Sequence, residues 1–300
     1  MNQTFERYLS LVEEALRQAL PQPLPQPEGS SPTAPVEEAM AYSLFVGGKR
    51  IRPVLALGFC QLCGGAPEQA LPFACAVEMV HTYSLIHDDL PCMDDDDMRR
   101  GKPTNHKVYG EAAALLAGDA LLTLAFETML SPESVQAVGA DRAAAAVGEL
   151  ARAAGAHGMV GGQIIDLESE GKQVPLEVLE KMDEGKTGAL ILAACRMGCI
   201  LAGASEDQKK AAEVYARSIG LAFQIEDDLL DVTGDAALLG KNTGMDSVRE
   251  KSTYVSLLGV EKARETVERL TRTAVDALAV FGEKAQPLAE LALALQNRDH

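Results

Sequence analysis

Positive charge is scarce in this chain. Its 27 lysines and arginines stand against 44 aspartates and glutamates in 300 residues, a formal net charge of −17 at pH 7. At long range such a field repels DNA, RNA and anionic lipid, which excludes a nucleic-acid partner. It also opposes an anionic substrate, unless cations reverse the field at one place. Signals for strands are equally thin: alanine and leucine dominate, β-branched alternation is scarce, and no glycine-flanked hairpin signal appears. The opening MNQTFERYLSLVEEAL has no basic leader and no unbroken apolar run, because Glu6, Glu13 and Glu14 interrupt it, so a cytoplasmic protein is expected. The most apolar stretch, Gly188 to Ala204, carries Arg196 in its middle and falls short of a bilayer span; it reads as a buried core helix, and no transmembrane segment is expected. Cysteine is present six times but without metal-site spacing. Cys60 and Cys63 form a lone CxxC, and Cys195 and Cys199 stand one helical turn apart. With no second CxxC or HxxxH, all are expected to be reduced, buried, small hydrophobes.

What the chain does have is helical periodicity and 47% hydrophobic residues, enough for one large core. From Phe5, the residues Leu9, Val12, Leu16 and Leu20 recur at helical spacing. Similar patterns fill 36–46, 50–62, 68–87, 111–130, 175–202, 206–231 and 260–281, so the expected fold is all-α in a single domain over 1–300. Prolines cannot occupy a helix interior, so the Pro-rich segment 21–35 is expected to be a surface loop. A second loop, 233–251, holds Gly234, Gly240 and Gly244 with Lys241 and Lys251, and is a candidate lid.

The sharpest local feature is SLIHDDLPCMDDDDMRRGKPT, where an apolar run ends in six aspartates between Asp88 and Asp97. Charge runs are usually solvated, yet an apolar helix leading straight into this one favours a cavity wall. An EF-hand is excluded, because neither alignment puts glycine at the sixth loop position or glutamate at the last. Magnesium, which takes one or two carboxylates and completes its octahedron with water and phosphate, suits spaced aspartates followed by Arg99 and Arg100. A second cluster, FQIEDDLLD, places Asp227 and Asp231 four residues apart, on one helix face and about 6 Å apart along the axis. Solvent or a cation must offset their repulsion. Opposite charge is concentrated in GGKRIRP, where Lys49, Arg50 and Arg52 follow a glycine pair, an arrangement able to grip a diphosphate without metal. Lys186-Thr187 in EGKTGAL has the look of a phosphate loop, but Glu180 stands where its first glycine is required and no strand precedes it.

Together these motifs resemble those of the trans-prenyl diphosphate synthases. Asp88-Asp89, four residues and Asp94, with Arg99-Arg100-Gly101, look like the family's first aspartate-rich motif; Asp227-Asp228-Leu229-Leu230-Asp231 look like the second. Gly47-Gly48-Lys49-Arg50-Ile51-Arg52-Pro53, His81, Lys186-Thr187, Phe223-Gln224, Lys241 and Lys251 follow in family order, so the resemblance covers nearly the whole chain. The four-residue gap and the approach Tyr83-Ser84-Leu85-Ile86-His87 are similar to bacterial farnesyl diphosphate synthases. One departure is Glu226, where the family has glutamine.

The resemblance implies an orthogonal helix bundle of the isoprenoid synthase type around a deep cavity, a homodimer, and a three-magnesium mechanism. It implies metal held by Asp88 and Asp94 on one wall and Asp227 on the other, supported by Asp89, Asp228 and Asp231. The allylic substrate, dimethylallyl or geranyl diphosphate, would be bound with help from Arg99, Lys186 and Lys241. Isopentenyl diphosphate would sit on Lys49, Arg52, His81 and Arg100, with Lys251 also in the binding set. Oxygens of Lys186, Thr187 and Gln224 would stabilise the carbocation, and Tyr83, with Ser84 beside it, would set product length at farnesyl. A geranylgeranyl diphosphate synthase is the nearest competitor, followed by a non-catalytic subunit of a heteromeric synthase. A terpene cyclase fits less well, since DDLLD lacks that class's Asn/Ser/Glu pattern. From the motif geometry alone Asp95, seven residues after Asp88, would stack over it better than Asp94 on an ideal helix, and Pro91 is expected to end or kink that helix.

Overall fold

The computed structural model describes residues 3–21, 32–233 and 252–296. Within them the chain is helical: α1 (Gln3–Ala19), α2 (Ala34–Leu44), α3 (Ile51–Leu62), α4 (Pro67–Asp88), α5 (Asn105–Tyr109), α6 (Glu111–Met129), α7 (Pro132–Val138), α8 (Ala140–Ala154), α9 (Met159–Ser169), α10 (Leu176–Asp183), α11 (Ala189–Ala202), α12 (Glu206–Thr233), α13 (Tyr254–Leu258), α14 (Val260–Ala277) and α15 (Gln286–Gln296). The all-α expectation holds. The only strands among the described residues are the two-residue β1 (Met98–Arg99) and β2 (Lys102–Pro103), paired antiparallel. This hairpin leaves no sequence signal because its turn is Arg100-Gly101 and not the usual Asn-Gly. Both residues take positive φ, 52° and 75°, as the tight hairpin turn requires. The loop boundary at 35 also moves: Pro35 lies in the first turn of α2, where a missing N–H costs nothing. The candidate lid, with Lys241 and Lys251, lies outside the described residues, apart from Thr233 at the end of α12.

Helix α4 is buried on nearly every side, through Phe73, Ala74, Ala76, Val77, Met79 and Val80. A helix apolar all round belongs at the centre of a bundle. Its one buried acid, Glu78, accepts a 2.8 Å hydrogen bond from Arg50, whose guanidinium also reaches Glu13 on α1 at 2.8 Å and the Leu44 carbonyl at 2.5 Å. Arg50 therefore ties α1, α2 and α4 together. A second apolar cluster, Leu179, Ile225, Leu229, Tyr254, Val267 and Leu270, joins α10 to α12, α13 and α14. Helix α12 spans both: Tyr215 and Ile219 pack in the main core, and its last turns carry the second aspartate cluster against the smaller one. Two stretches, Glu111–Met129 and Leu176–Ala202, are long and apolar enough to cross a membrane by length and composition; the second is interrupted and 56% of its apolar window is buried within the bundle.

Candidate active site

The first aspartate cluster begins where α4 ends. Asp88 is its last residue and Asp89 its C-cap, so Pro91 lies beyond the helix instead of kinking it. The chain then folds back: the Asp94 amide donates to the Asp88 carbonyl at 2.9 Å and Asp95 turns away with φ 50°. This reversal brings Asp94, not Asp95, to Asp88, and removes the difficulty an ideal helix would pose.

Asp88 accepts a hydrogen bond from Gln163 Nε2 and lies 3.7 Å from the ammonium of Lys186, which is bound to Asp166 at 2.5 Å. Burial pushes the Asp88 carboxyl up to about 6; Lys186 works against that, while Asp94 and Asp166 add to it. For Lys186, burial disfavours the charge, but Asp88, Asp166 and Asp94 more than offset it and hold the ammonium above its ordinary value. Asp94 Oδ1 is buried without a hydrogen-bond partner. A buried, unpartnered carboxylate oxygen beside two further carboxylates fits a cation, and magnesium's preference for carboxylate oxygen makes it suitable.

The residues that hold Asp88 and Lys186, Gln163 for the first and Asp166 for the second, were not evident in the sequence. Gln163 and Asp166 lie one turn apart on α9, and the signal available was Gly161-Gly162 just before them. Gly162 is required by close approach, since a Cβ there would stand 2.1 Å from the Lys186 backbone nitrogen. Lys186 and Thr187 sit on a single π-helical turn, Glu184–Gly188, between α10 and α11. Such turns occur frequently at functional sites. Just before it, Asp183 is buried and accepts a 3.5 Å hydrogen bond from Gln224 of α12. Burial pushes Asp183 up to about 7, with Asp166 adding to the rise and Lys186, Tyr254 and Gln224 opposing it. Asp183 thus links the two clusters: Lys186 and Asp166 face Asp88 on one side, and Gln224 lies one turn before Asp227 and Asp228 on the other.

In the second cluster Asp227, Asp228 and Asp231 are all half-buried on the last turns of α12. Asp228 Oδ2 accepts a 2.7 Å hydrogen bond from the Tyr254 backbone N–H, fixing α13 to α12. Both oxygens of Asp89 are taken by Arg99, at 2.7 and 2.9 Å from Nε and 2.5 Å from Nη2. Asp89 and Asp228 accordingly hold the frame in this structure. Glu226, the departure from the family pattern, is half-buried.

A cationic region adjoins the first cluster. Arg52 Nε is buried with no hydrogen-bond partner, an orphaned donor that fits an anion. His81 on α4 is driven well below 6.5 by burial and then by Arg52, Arg100, Arg99 and Arg50, so it is neutral. Arg100, on the hairpin turn, donates to the Gly47 carbonyl, and Lys49 lies exposed beside that glycine pair. The basic knot therefore splits: Arg50 is structural, whereas Arg52 lies near Arg100 and His81, close enough for their charges to act on one another.

Tyr83 lies in the core of α4 with its ring edge-on to His87, centroids 5.6 Å apart. Ser84 donates to the His81 carbonyl at 2.8 Å. Beyond these, Asp95, Asp97 and His106 bring ligand atoms within 4.8 Å of one another, though Asp97 is already paired with Lys107 at 2.6 Å.

Comparison with known proteins agrees with this geometry. The Polyprenyl synthetase family profile matches residues 33–282. The heterodimeric geranylgeranyl pyrophosphate synthase large subunit 1 of Arabidopsis thaliana, a chloroplastic protein, is 52% identical over 261 residues, 86% of this chain and 70% of that one. A dimethylallyltranstransferase of Fischerella ambigua is 50% identical over 264 residues, 88% of this chain and 76% of that one. Among solved structures, an FPP/GFPP synthase from Zymomonas mobilis superposes with a TM-score of 0.85 at 39% identity, covering 97% of each chain. A geranyltransferase from Legionella pneumophila gives 0.85 at 38% identity, over 99% of this chain and 96% of that one.

Proposed function

The chain belongs to the polyprenyl synthetase family and is a prenyltransferase, and from that premise we propose that it joins isopentenyl diphosphate to dimethylallyl and then geranyl diphosphate, stopping at farnesyl diphosphate. The observation that carries the chain-length reading is Tyr83. Its buried ring stands five residues before Asp88, about 7.5 Å along α4, where a product anchored at the aspartates grows toward it.

Asp88 and Asp94 on one side and Asp227 on the other would hold magnesium, three ions by analogy with the family, and bound magnesium supplies positive charge to the leaving diphosphate. The protein's own groups do the rest. Lys186, held by Asp166, adds positive charge where the allylic C–O electron pair departs onto the diphosphate. Arg52, Lys49 and Arg100 fix the second diphosphate, and neutral His81 donates one hydrogen bond without adding charge. The alkene of isopentenyl diphosphate then attacks the allylic carbocation, a C–C bond forms, and the released diphosphate takes the proton lost from the adjacent carbon. The side-chain oxygens of Thr187 and Gln224 and the Lys186 carbonyl stabilise the cation, and apolar walls exclude water. A second copy of the chain is the partner this reading supplies: Leu115 and Leu116 of α6 stand 45% and 57% exposed, apolar area of the kind a homodimer covers.

The relatives at about half identity named geranylgeranyl pyrophosphate synthases favour a twenty-carbon product as the second reading. Mass analysis of products formed from both substrates with magnesium separates the two. Tyr83→Ala should move the product from fifteen carbons to twenty or more, and Ser84→Phe should shorten it toward ten. A Tyr83→Ala enzyme that still stops cleanly at fifteen would assign the floor elsewhere.

A further inference from the structure

Four of the six cysteines are buried as expected, whereas Cys92 is exposed and Cys63 half-buried; of the buried four, Cys199 meets Cys63 across the core. Cys63 caps the C-terminus of α3, and Cys199 lies on α11, 136 residues later; their sulfurs share an S–H···S contact of 3.8 Å. The meeting is enforced by the helices. Gly198 lies directly on α3, where a Cβ would stand 2.4 Å from the Ala56 carbonyl oxygen and 2.9 Å from the Cys60 nitrogen. The neighbouring residue is thereby delivered to the end of α3. We propose that Cys63 and Cys199 are a modification site, closing to a reversible disulfide when the protein meets hydrogen peroxide.

The geometry assigns the two sulfurs different parts. Cys63 is half-buried and reachable; Cys199 is fully buried. The contact between the two sulfurs holds the Cys63 thiol below its ordinary value against a smaller opposing effect of burial, while Cys199 is pushed far up by the same contact and by burial. The more accessible sulfur of the pair is thus the one that ionises more readily, as an attacking thiolate must. Cys60, the other half of the CxxC, is poorly placed to compete: its sulfur contacts the Ala66 carbonyl at 3.5 Å and Gln69 Nε2 at 3.7 Å, and burial pushes it up to about 11.

The chemistry balances. The Cys63 thiolate attacks one peroxide oxygen; an S–O bond forms, the O–O bond breaks, and hydroxide leaves to become water. The Cys199 sulfur then attacks the Cys63 sulfur; the S–S bond forms, the S–O bond breaks, and hydroxide leaves with the Cys199 proton as a second water. Two electrons pass from the sulfurs to the peroxide, and dithiothreitol reverses the bond by exchange. Closing 3.8 Å to about 2.05 Å asks for a movement that Cys63 can make, because the chain leaves α3 there through Gly64, with φ 90°. The bond would staple the far ends of two helices whose near ends carry Arg52 and, through the π-turn, Lys186 and Thr187.

The test is peptide mapping of the full-length protein after mild peroxide treatment, with thermal unfolding followed in parallel. A peptide pair joining Cys63 to Cys199, lighter by two hydrogen atoms than its separate parts, is expected. The unfolding midpoint should rise on oxidation, because a loop this long is closed in the unfolded chain, and return with dithiothreitol. Cys63→Ser should abolish both effects and Cys60→Ala neither. The proposal is overturned by a Cys60–Cys63 disulfide, by Cys63 recovered only as sulfinic or sulfonic acid, or by a Cys60→Ala protein that no longer cross-links. Because the mapping needs no variant, a misfolded mutant leaves the decision intact.

Discussion

Asp183→Asn is the perturbation that most directly tests the electrostatics of the site. The carboxyl is buried, 5% exposed, and its folded value is raised from 3.8 to about 7. A raised acid is stabilising only while protonated. Below about pH 4 both the folded and unfolded chains hold the proton and nothing is lost. As pH climbs, the unfolded chain releases its proton first, and stability falls until the folded carboxyl also ionises near pH 7. A rise of about three units, at about 1.36 kcal/mol each, makes the loss about 4 kcal/mol. That is a ceiling, because Asp183 lines a cavity of about 260 Å³ with Glu180, Glu184, Arg217 and Leu270, and water there screens the charge. Asparagine keeps the oxygen that Gln224 bonds but never ionises. The variant's unfolding midpoint, measured without added metal, should match wild type near pH 4 and exceed it increasingly up to pH 8. At about 2 °C per kcal/mol for a chain of this size, the plateau is at most about 8 °C. A gap that is the same at pH 5 and pH 8, or a variant less stable at pH 8, would falsify the assignment of a buried, raised carboxyl.

Asp88→Ala and Asp227→Ala should each lower turnover by about a thousandfold or more, about 4 kcal/mol, with helical circular dichroism retained; near-normal turnover in either would remove that residue from the metal set. Arg52→Ala should raise KM for isopentenyl diphosphate far more than for geranyl diphosphate, and equal effects in steady-state kinetics would defeat the separation of the two diphosphate sites. Glu78→Gln leaves the Arg50 guanidinium, 1% exposed, with Glu13 as its one carboxylate partner, so urea titration should show a loss of about 3 kcal/mol without a change in KM.

What the sequence disclosed followed from how its signals arise. Helices α1 and α12 carry large apolar side chains at regular spacing and α4 is a long, largely apolar run, and their limits were legible to within a few residues. Between 131 and 169 the buried positions are mostly small, Ala143, Ala146, Ala154 and Gly162 with only Val138, Leu150 and Met159 as large apolar side chains, so α7, α8 and α9 were not singled out. Gln163 and Asp166 went unseen with them. The basic knot was visible as a charge density, but not its division: Arg50 takes φ 48° and turns into the core, while Arg52, the second residue of α3, keeps a buried Nε without a partner. Cys63 and Cys199 looked unrelated because helix packing, not spacing along the chain, brings them together.

The π-turn at Glu184–Gly188 has a consequence for how this protein tolerates change. A five-residue turn between regular helices is equivalent to one residue inserted into a continuous helix, and one residue is about 100° of rotation. Helix α10 is therefore out of phase with α11 by about that angle, and the position of Asp183 beside Gln224 depends on it. Excising a single residue from this turn would leave every other side chain chemically intact, yet it would rotate either Asp183 or Lys186 away from its partners. At this point the working geometry is written in the length of the chain, and a one-residue deletion should do more damage than a conservative substitution at either end.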